Sequence, residues 1–240
     1  MTYCVGLLLN AGLVLLSDTR TNAGLDNIST YRKMFTFEEP GERVIIMMTA
    51  GNLSVTQTTL ARLTEEIADP DATHETSIMK ADNMLDVATM VGEMLSRVTA
   101  ETKVRMDRMN QSASASMIVA GQRKGGRMRL FLIYPEGNFI EATEDTPYLQ
   151  IGEHKYGKPI LDRVISADTP LVDARKAVLL SMDSTLRSNL SVGMPLDMAV
   201  IETDALRITE HRRIEANDEE FAAMSAAWSQ ALRDAFIQIR

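Results

Sequence analysis

The sequence predicts an α+β protein in which antiparallel sheets pack together and helices lie outside them. Three observations point there. Strand-sized apolar runs come in blocks joined by short turns, and segments of helical period fall in pairs between those blocks. The hydrophobic and charged fractions, 45% and 24% of 240 residues, are those of an ordinary globular chain. A parallel sheet would instead alternate strands and helices one by one. No linker, low-complexity tract or internal repeat interrupts the chain, so residues 1–240 read as one domain, with 217–240 as a C-terminal helix.

Thr2–Leu9 and Gly12–Asp18 are apolar runs separated by a hairpin turn at Asn10-Ala11-Gly12. Residues 20–28 are polar and glycine-containing, and read as a loop. Thr30–Phe37 resumes as a strand that ends at Glu38-Glu39-Pro40-Gly41, and Arg43–Ala50 is a fourth strand closed by Gly51. The period then changes. Leu53, Thr56, Leu60, Leu63 and Ile67 mark a helix over 52–68 with Asn52 as its N-cap, and Met84, Val87, Val91, Met94 and Val98 mark another over 80–105. Strands return at Ala113–Gln122, Arg127–Tyr134 and Asn138–Glu141. Helices follow over 156–165 and 171–187, then a hairpin of Asp197–Thr203 with Leu206–Arg212. The last helix, 218–238, is predicted to start at an Asn217/Glu220 capping box. Its stripe of Phe221, Met224, Trp228, Leu232, Phe236 and Ile239 reads first as core packing and second as a subunit contact.

Composition removes several kinds of chemistry. One cysteine, Cys4, forms no internal disulfide and no cysteine-rich zinc site. The histidines, His74, His154 and His211, lie far apart and lack the spacing of a helical metal motif. The net charge of −8 comes without a basic stripe, which argues against nucleic acid and anionic membranes as partners. No apolar run approaches the roughly 20 residues of a membrane span, and the first residues lack the basic start of a signal peptide. A cytoplasmic, bacterial protein is expected. The sixteen methionines are scattered, as core gap-fillers would be.

With few imidazoles, another group must move protons if this is an enzyme. Thr2 follows Met1, and a small second residue permits removal of the initiator. The freed threonine would carry a hydroxyl nucleophile and an α-amine, which titrates near 7.7–8.0, on one residue. Lys33 shares a strand face with Tyr31, Phe35 and Phe37, so its ammonium either snorkels or is buried with partners. Asp18, at the end of the second strand, is the candidate partner. A structural ion pair and a pair that tunes Thr2 both fit these residues.

Thr2-Tyr3-Cys4-Val5-Gly6, the segment Ser17-Asp18-Thr19-Arg20-Thr21-Asn22-Ala23-Gly24, the inward Lys33, and Thr49-Ala50-Gly51-Asn52 occur in an order that resembles the proteasome-type N-terminal nucleophile hydrolases. Among these the chain is most similar to the bacterial proteasome-related subunits called Anbu. The resemblance implies a four-layer αββα sandwich of two antiparallel sheets flanked by helices. It implies Thr2 as nucleophile and Asp18 with Lys33 as the pair that orients and tunes it. It places Gly51 at the oxyanion turn and Ser191 in a supporting role. Backbone groups of Thr21, Asn22 and Gly51 would pair with an extended peptide, and Thr49 and Leu53 would help form the pocket for the residue before the scissile bond. It implies no metal or organic cofactor. A peptide or unfolded protein would be the substrate and a ring-like or open spiral homo-oligomer the assembly, with an ATPase partner left open.

The chain departs from the family pattern at two places. Gly152-Glu153-His154 stands where Gly-Ser-Gly is usual, and Ser188 stands where an aspartate is expected. These changes point to weak or conditional activity. His154 either substitutes for the missing serine or lies exposed on the surface, and Cys4 reads as packing. An amidase acting on a small non-peptide amide and a peptide-binding scaffold with a vestigial site are the alternatives.

Overall fold

The computed structural model describes residues 1–22, 28–106 and 112–239. Five strands, β1 (Tyr3–Leu9), β2 (Gly12–Asp18), β10 (Tyr148–Gly152), β11 (Leu196–Glu202) and β12 (Glu210–Ile214), form an antiparallel sheet in the order β10-β1-β2-β11-β12. Another five, β5 (Met34–Glu39), β6 (Arg43–Gly51), β7 (Ala115–Arg123), β8 (Arg129–Ile133) and β9 (Phe139–Glu141), pair antiparallel in sequence order. Helices α1 (Leu53–Ala68) and α2 (Met84–Met106) cover the second sheet. Helices α3 (Lys158–Val164) and α4 (Leu171–Ser188) cover the first, and α5 (Glu219–Gln238) leans on α4. The result is the αββα sandwich, α+β in class.

Strand alternation builds its three apolar interfaces. In β1 and β2, Tyr3, Val5, Leu7, Val14 and Leu16 face α3 and α4, whereas Cys4, Leu13 and Leu15 face the other sheet. In β6, Ile45 and Met47 meet α1 and α2, and Val44, Ile46 and Met48 fill the space between sheets. Both faces of these central strands are buried, so they read as unbroken apolar runs instead of alternating ones. Met34, Met47, Met48, Met117 and Met198 are among the buried residues, in keeping with gap-filling.

Several elements differ from the sequence reading. Part of the expected loop is a ribbon of β3 (Arg20–Asn22) with β4 (Ile28–Thr30), two three-residue strands whose residues are polar except for Ile28 and so carry no apolar alternation. Ala23 and Gly24 of the Ser17–Gly24 motif lie outside the described residues. The third predicted strand starts at Met34, four residues late, because Tyr31 to Lys33 turn away from the ladder to reach β2 and β3. Strand β10 was not anticipated: a five-residue edge strand after a turn leaves little pattern. Strand β12 begins at Glu210, since Asp204 and Leu206 take positive φ values of 63° and 50° in a longer turn.

Helix α5 is capped by Asp218, whose carboxylate accepts the Phe221 amide at 2.8 Å, not by Asn217. Its stripe is not core either. Phe221 and Met224 pack on the first sheet's core, but Leu232 is 50%, Phe236 79% and Ile239 78% exposed. The helix is pinned through Ser225, which bridges Asp183 (2.7 Å) and Arg187 (2.7 Å) of α4, and it then runs past the domain surface.

Candidate active site

Thr2 lies just ahead of β1 and is 8% exposed. Two neighbouring strands hold it. The Thr2 carbonyl accepts the Glu153 amide at 2.7 Å, and the next amide, Tyr3 N–H, donates to Asp18 Oδ1 at 3.1 Å. The register that aligns Tyr3 with Gly152 makes this possible. Gly152 has φ of +82°, and a Cβ there would lie 1.9 Å from the Thr2 oxygen, so only glycine fits.

Behind Thr2, Lys33 Nζ and Asp18 Oδ1 are 2.7 Å apart in an almost fully buried ion pair. The ammonium also donates to the Arg20 carbonyl at 2.7 Å and the Met1 carbonyl at 3.3 Å, and the Gly193 amide donates to Asp18 Oδ2 at 3.3 Å. Burial pushes the Asp18 carboxyl above its ordinary value, against the pull of Lys33 and of the Tyr3 and Gly193 amides. The terminal amine on Met1 is held below its ordinary value, first by burial and then by Lys33, while Asp18 and Glu153 oppose the shift. These groups fix a cation, a carboxylate and a terminal amine around one hydroxyl-bearing residue.

The opposite wall comes from the second sheet. Thr49 N–H donates to the Lys33 carbonyl at 3.0 Å, tying β6 to the ion pair. Gly51 ends β6 with φ of +105°, where a Cβ would meet the Ser114 carbonyl at 2.5 Å. Asn52 then caps α1 by accepting the Val55 amide, which sets Leu53 at the start of that helix. Between the walls is a cavity of about 490 Å³ lined by Thr2, Thr21, Lys33, Thr49, Gly51 and Leu53 of the anticipated residues.

Asp18 sits behind Lys33 and does not line the cavity. Asn22 contributes the backbone of β3 beside Thr21. Ser191 also lies off the cavity: its amide donates to Asn189 Oδ1 at 2.9 Å, in the loop that carries Gly193, and its hydroxyl has no partner among the described residues. His154 is exposed and stacks its Nδ1 on its own turn, 3.1 Å from the Gly152 oxygen. Cys4 is buried and burial pushes its thiol up, as expected of packing. Among the described residues there is no cluster of three metal-ligating side chains, and no helix is long and apolar enough to cross a membrane.

Sequence reasoning missed Tyr31, Arg32, Phe35, Thr56, Gln57 and Leu60, which also line the cavity. The signal for some was present: Tyr31 and Phe35 alternate with Lys33, and Thr56, Gln57 and Leu60 follow Leu53 at helical spacing.

The proteasome subunit family profile matches residues 2–201. Solved structures share the fold over the full length. Anbu (ancestral beta-subunit) from Yersinia bercovieri is 45% identical with a TM-score of 0.92, covering 99% of this chain and 97% of that one. The Anbu (Gly-1) mutant from Hyphomicrobium sp. strain MC1 is 48% identical with a TM-score of 0.92, covering 100% and 98%. The structure described as a helical assembly of the Anbu complex from Pseudomonas aeruginosa is 45% identical with a TM-score of 0.93, covering 99% and 97%. No curated protein matches the chain.

Proposed function

Because the chain belongs to the proteasome subunit family and has the fold of its Anbu members, we propose that it is a threonine peptidase whose nucleophile is exposed when Met1 is removed. The observation that carries this reading is the buried Lys33–Asp18 pair set beside the second residue, a threonine that borders the cavity. Trimming exposes the Thr2 amine one residue deeper than the Met1 amine, in the same field of burial and Lys33. A lowered amine is neutral in a larger fraction of molecules at a given pH, and the neutral form accepts the Thr2 hydroxyl proton.

The hydroxyl oxygen then attacks the peptide carbonyl. The turn at Gly51 supplies backbone N–H to the developing oxyanion. The amine returns the proton to the leaving nitrogen, and water hydrolyses the ester. Thr21 and Asn22 in β3 and Gly51 in β6 flank the cavity as backbone edges on which an extended peptide adds as a strand, with Thr49 and Leu53 against its side chain. That edge geometry favours a peptide over a small amide. Ser191 supports the Asp18 side through the Gly193 loop.

The molecule acts as one domain, in the cytoplasm, as a homo-oligomer. The helical assembly described for the Pseudomonas aeruginosa relative supports self-association, as does the exposed apolar end of α5. The test is intact mass of the purified protein before and after an electrophile selective for N-terminal threonine, beside Thr2→Ala. Loss of Met1, one adduct on Thr2, and no peptide hydrolysis by Thr2→Ala are expected. Unchanged hydrolysis by Thr2→Ala would remove Thr2 from the mechanism.

A further inference from the structure

We propose that the Arg20 side chain is a positioning residue: it clamps the loop between α4 and β11, and through that loop it keeps the Lys33–Asp18 pair in place beside Thr2. The inference rests on Thr2 being the nucleophile. Arg20 does not line the cavity. Its carbonyl accepts Lys33 Nζ at 2.7 Å, while its Nη1 donates to the Leu190 carbonyl at 2.9 Å. One residue thus holds the cation through its main chain and the loop of residues 189–195 through its side chain. The loop returns a donor to the same pair, since the Gly193 amide reaches Asp18 Oδ2 at 3.3 Å.

Gly193 shows how close the clamp is. Its φ lies outside the left-handed region, so no backbone strain calls for glycine there. A Cβ at this position would nonetheless lie 2.2 Å from Arg20 Nε, 2.3 Å from Cζ and 2.7 Å from Nη2. Three atoms of the guanidinium surround one point, so its flat face rests on the glycine. The compact ammonium of a lysine cannot reproduce that contact while also bonding the Leu190 carbonyl. Val192 sets the depth of the loop in the core of the first sheet, and the Thr19 hydroxyl ties its far end by donating to the Pro195 carbonyl at 2.6 Å. Leu190 is exposed, so the near end depends on Arg20. The Gly193 amide is a backbone group, but a side chain decides where it sits. Asp18 is buried, and each donor it keeps favours its ionised, Lys33-paired form. Without the guanidinium the amide is free to withdraw, and the pair beside Thr2 shifts with it.

The experiment uses full-length protein lacking Met1 and a peptide epoxyketone, which closes on both the hydroxyl and the amine of Thr2. Labelling is followed by intact mass over a range of probe concentrations, giving a maximal rate constant and a half-saturating concentration. Arg20→Ala should lower the rate constant by roughly 10- to 100-fold, the effect of a small misplacement at a reacting centre. The half-saturating concentration should stay within about twofold, because Arg20 is absent from the cavity wall. A collapsed site would move both. Arg20→Lys should remain within about threefold of Arg20→Ala. Gly193→Ala should slow the parent by roughly tenfold, yet add less than about twofold in the Arg20→Ala background, where the space is open. Unchanged labelling by Arg20→Ala, a half-saturating concentration that moves with the rate, parental labelling by Arg20→Lys, or simple multiplication of the two alanine effects would each overturn the positioning role. Should Arg20→Ala not fold, Gly193→Ala in the parent decides alone: unchanged labelling refutes the clamp. If the parent labels at Thr2 and the variants match it, only the positioning role fails. If the parent never labels at Thr2, the nucleophile assignment fails and the positioning role fails with it.

Discussion

Replacing Lys33 by methionine leaves Asp18 buried with two amide donors and no cation. Removing one partner of a buried pair costs about 3–5 kcal/mol, so Lys33→Met should lower stability by that amount in urea denaturation. Asp18→Asn with Lys33→Met should lose less than the sum of the single changes. Lys33 also has a chemical signature. It lowers the proton affinity of the terminal amine, so the neutral amine dominates from a lower pH and the base-dependent rate rises earlier. Without Lys33 the amine's pKa rises and that limb moves to higher pH. Thr2 reactivity towards the electrophile, followed against pH, checks the direction. The pair was a candidate in the sequence, since a lysine on an apolar face either snorkels to an edge or is buried with partners, and Asp18 stood at the end of the second strand. Its supports were not: the Arg20 carbonyl and the Gly193 amide are backbone groups that any residue type could supply.

At the scale of elements, Thr2 is positioned by an edge strand that alternation did not reveal. Gly152→Ala forces a side chain into the Thr2 carbonyl at a left-handed backbone position. The backbone strain alone costs about 1–3 kcal/mol. Urea denaturation should register that loss, and electrophile labelling of Thr2 should slow together with it. At the other end of the chain, Asp218→Ala removes the α5 cap and one partner of Arg212. A loss of about 1 kcal/mol in thermal or urea melts is expected. The long buried strands and the helices α1, α2 and α4 were readable because apolar residues recur there at a clean period. The β3–β4 ribbon and β10 were not, because short or polar strands owe their pairing to neighbours distant in sequence. The Asn217/Glu220 capping signature was one residue off, since Asp218 offers the same acceptor and is held by Arg212.

At the scale of the whole molecule, α5 separates stability from association. Beyond Ser225 it contributes no buried residue, yet it carries Leu232, Phe236 and Ile237 into solvent. Leu232→Ser with Phe236→Ser should therefore leave the dilute protein's thermal melt nearly unchanged while lowering the assembled mass in sedimentation. Periodicity described this stripe correctly, but it cannot say whether a helix face meets its own core or another surface.

The hydrogen bond from Glu153 to Thr2 also sets a clock on biosynthesis. The amide that locks the second residue in place belongs to the 153rd, so about 150 further residues must be polymerised before the N-terminus is clamped. At ribosomal speeds of about 5–20 residues per second this takes roughly 8–30 s. During that interval the Met1–Thr2 bond is on a free chain end, open to an aminopeptidase. Once β10 docks, Thr2 is buried and the same bond is presented only from the Met1 side. Under the proposed mechanism, chains made faster than they are trimmed would fold with the methionine in place, and translation rate and aminopeptidase supply would together set the fraction that carries a free threonine.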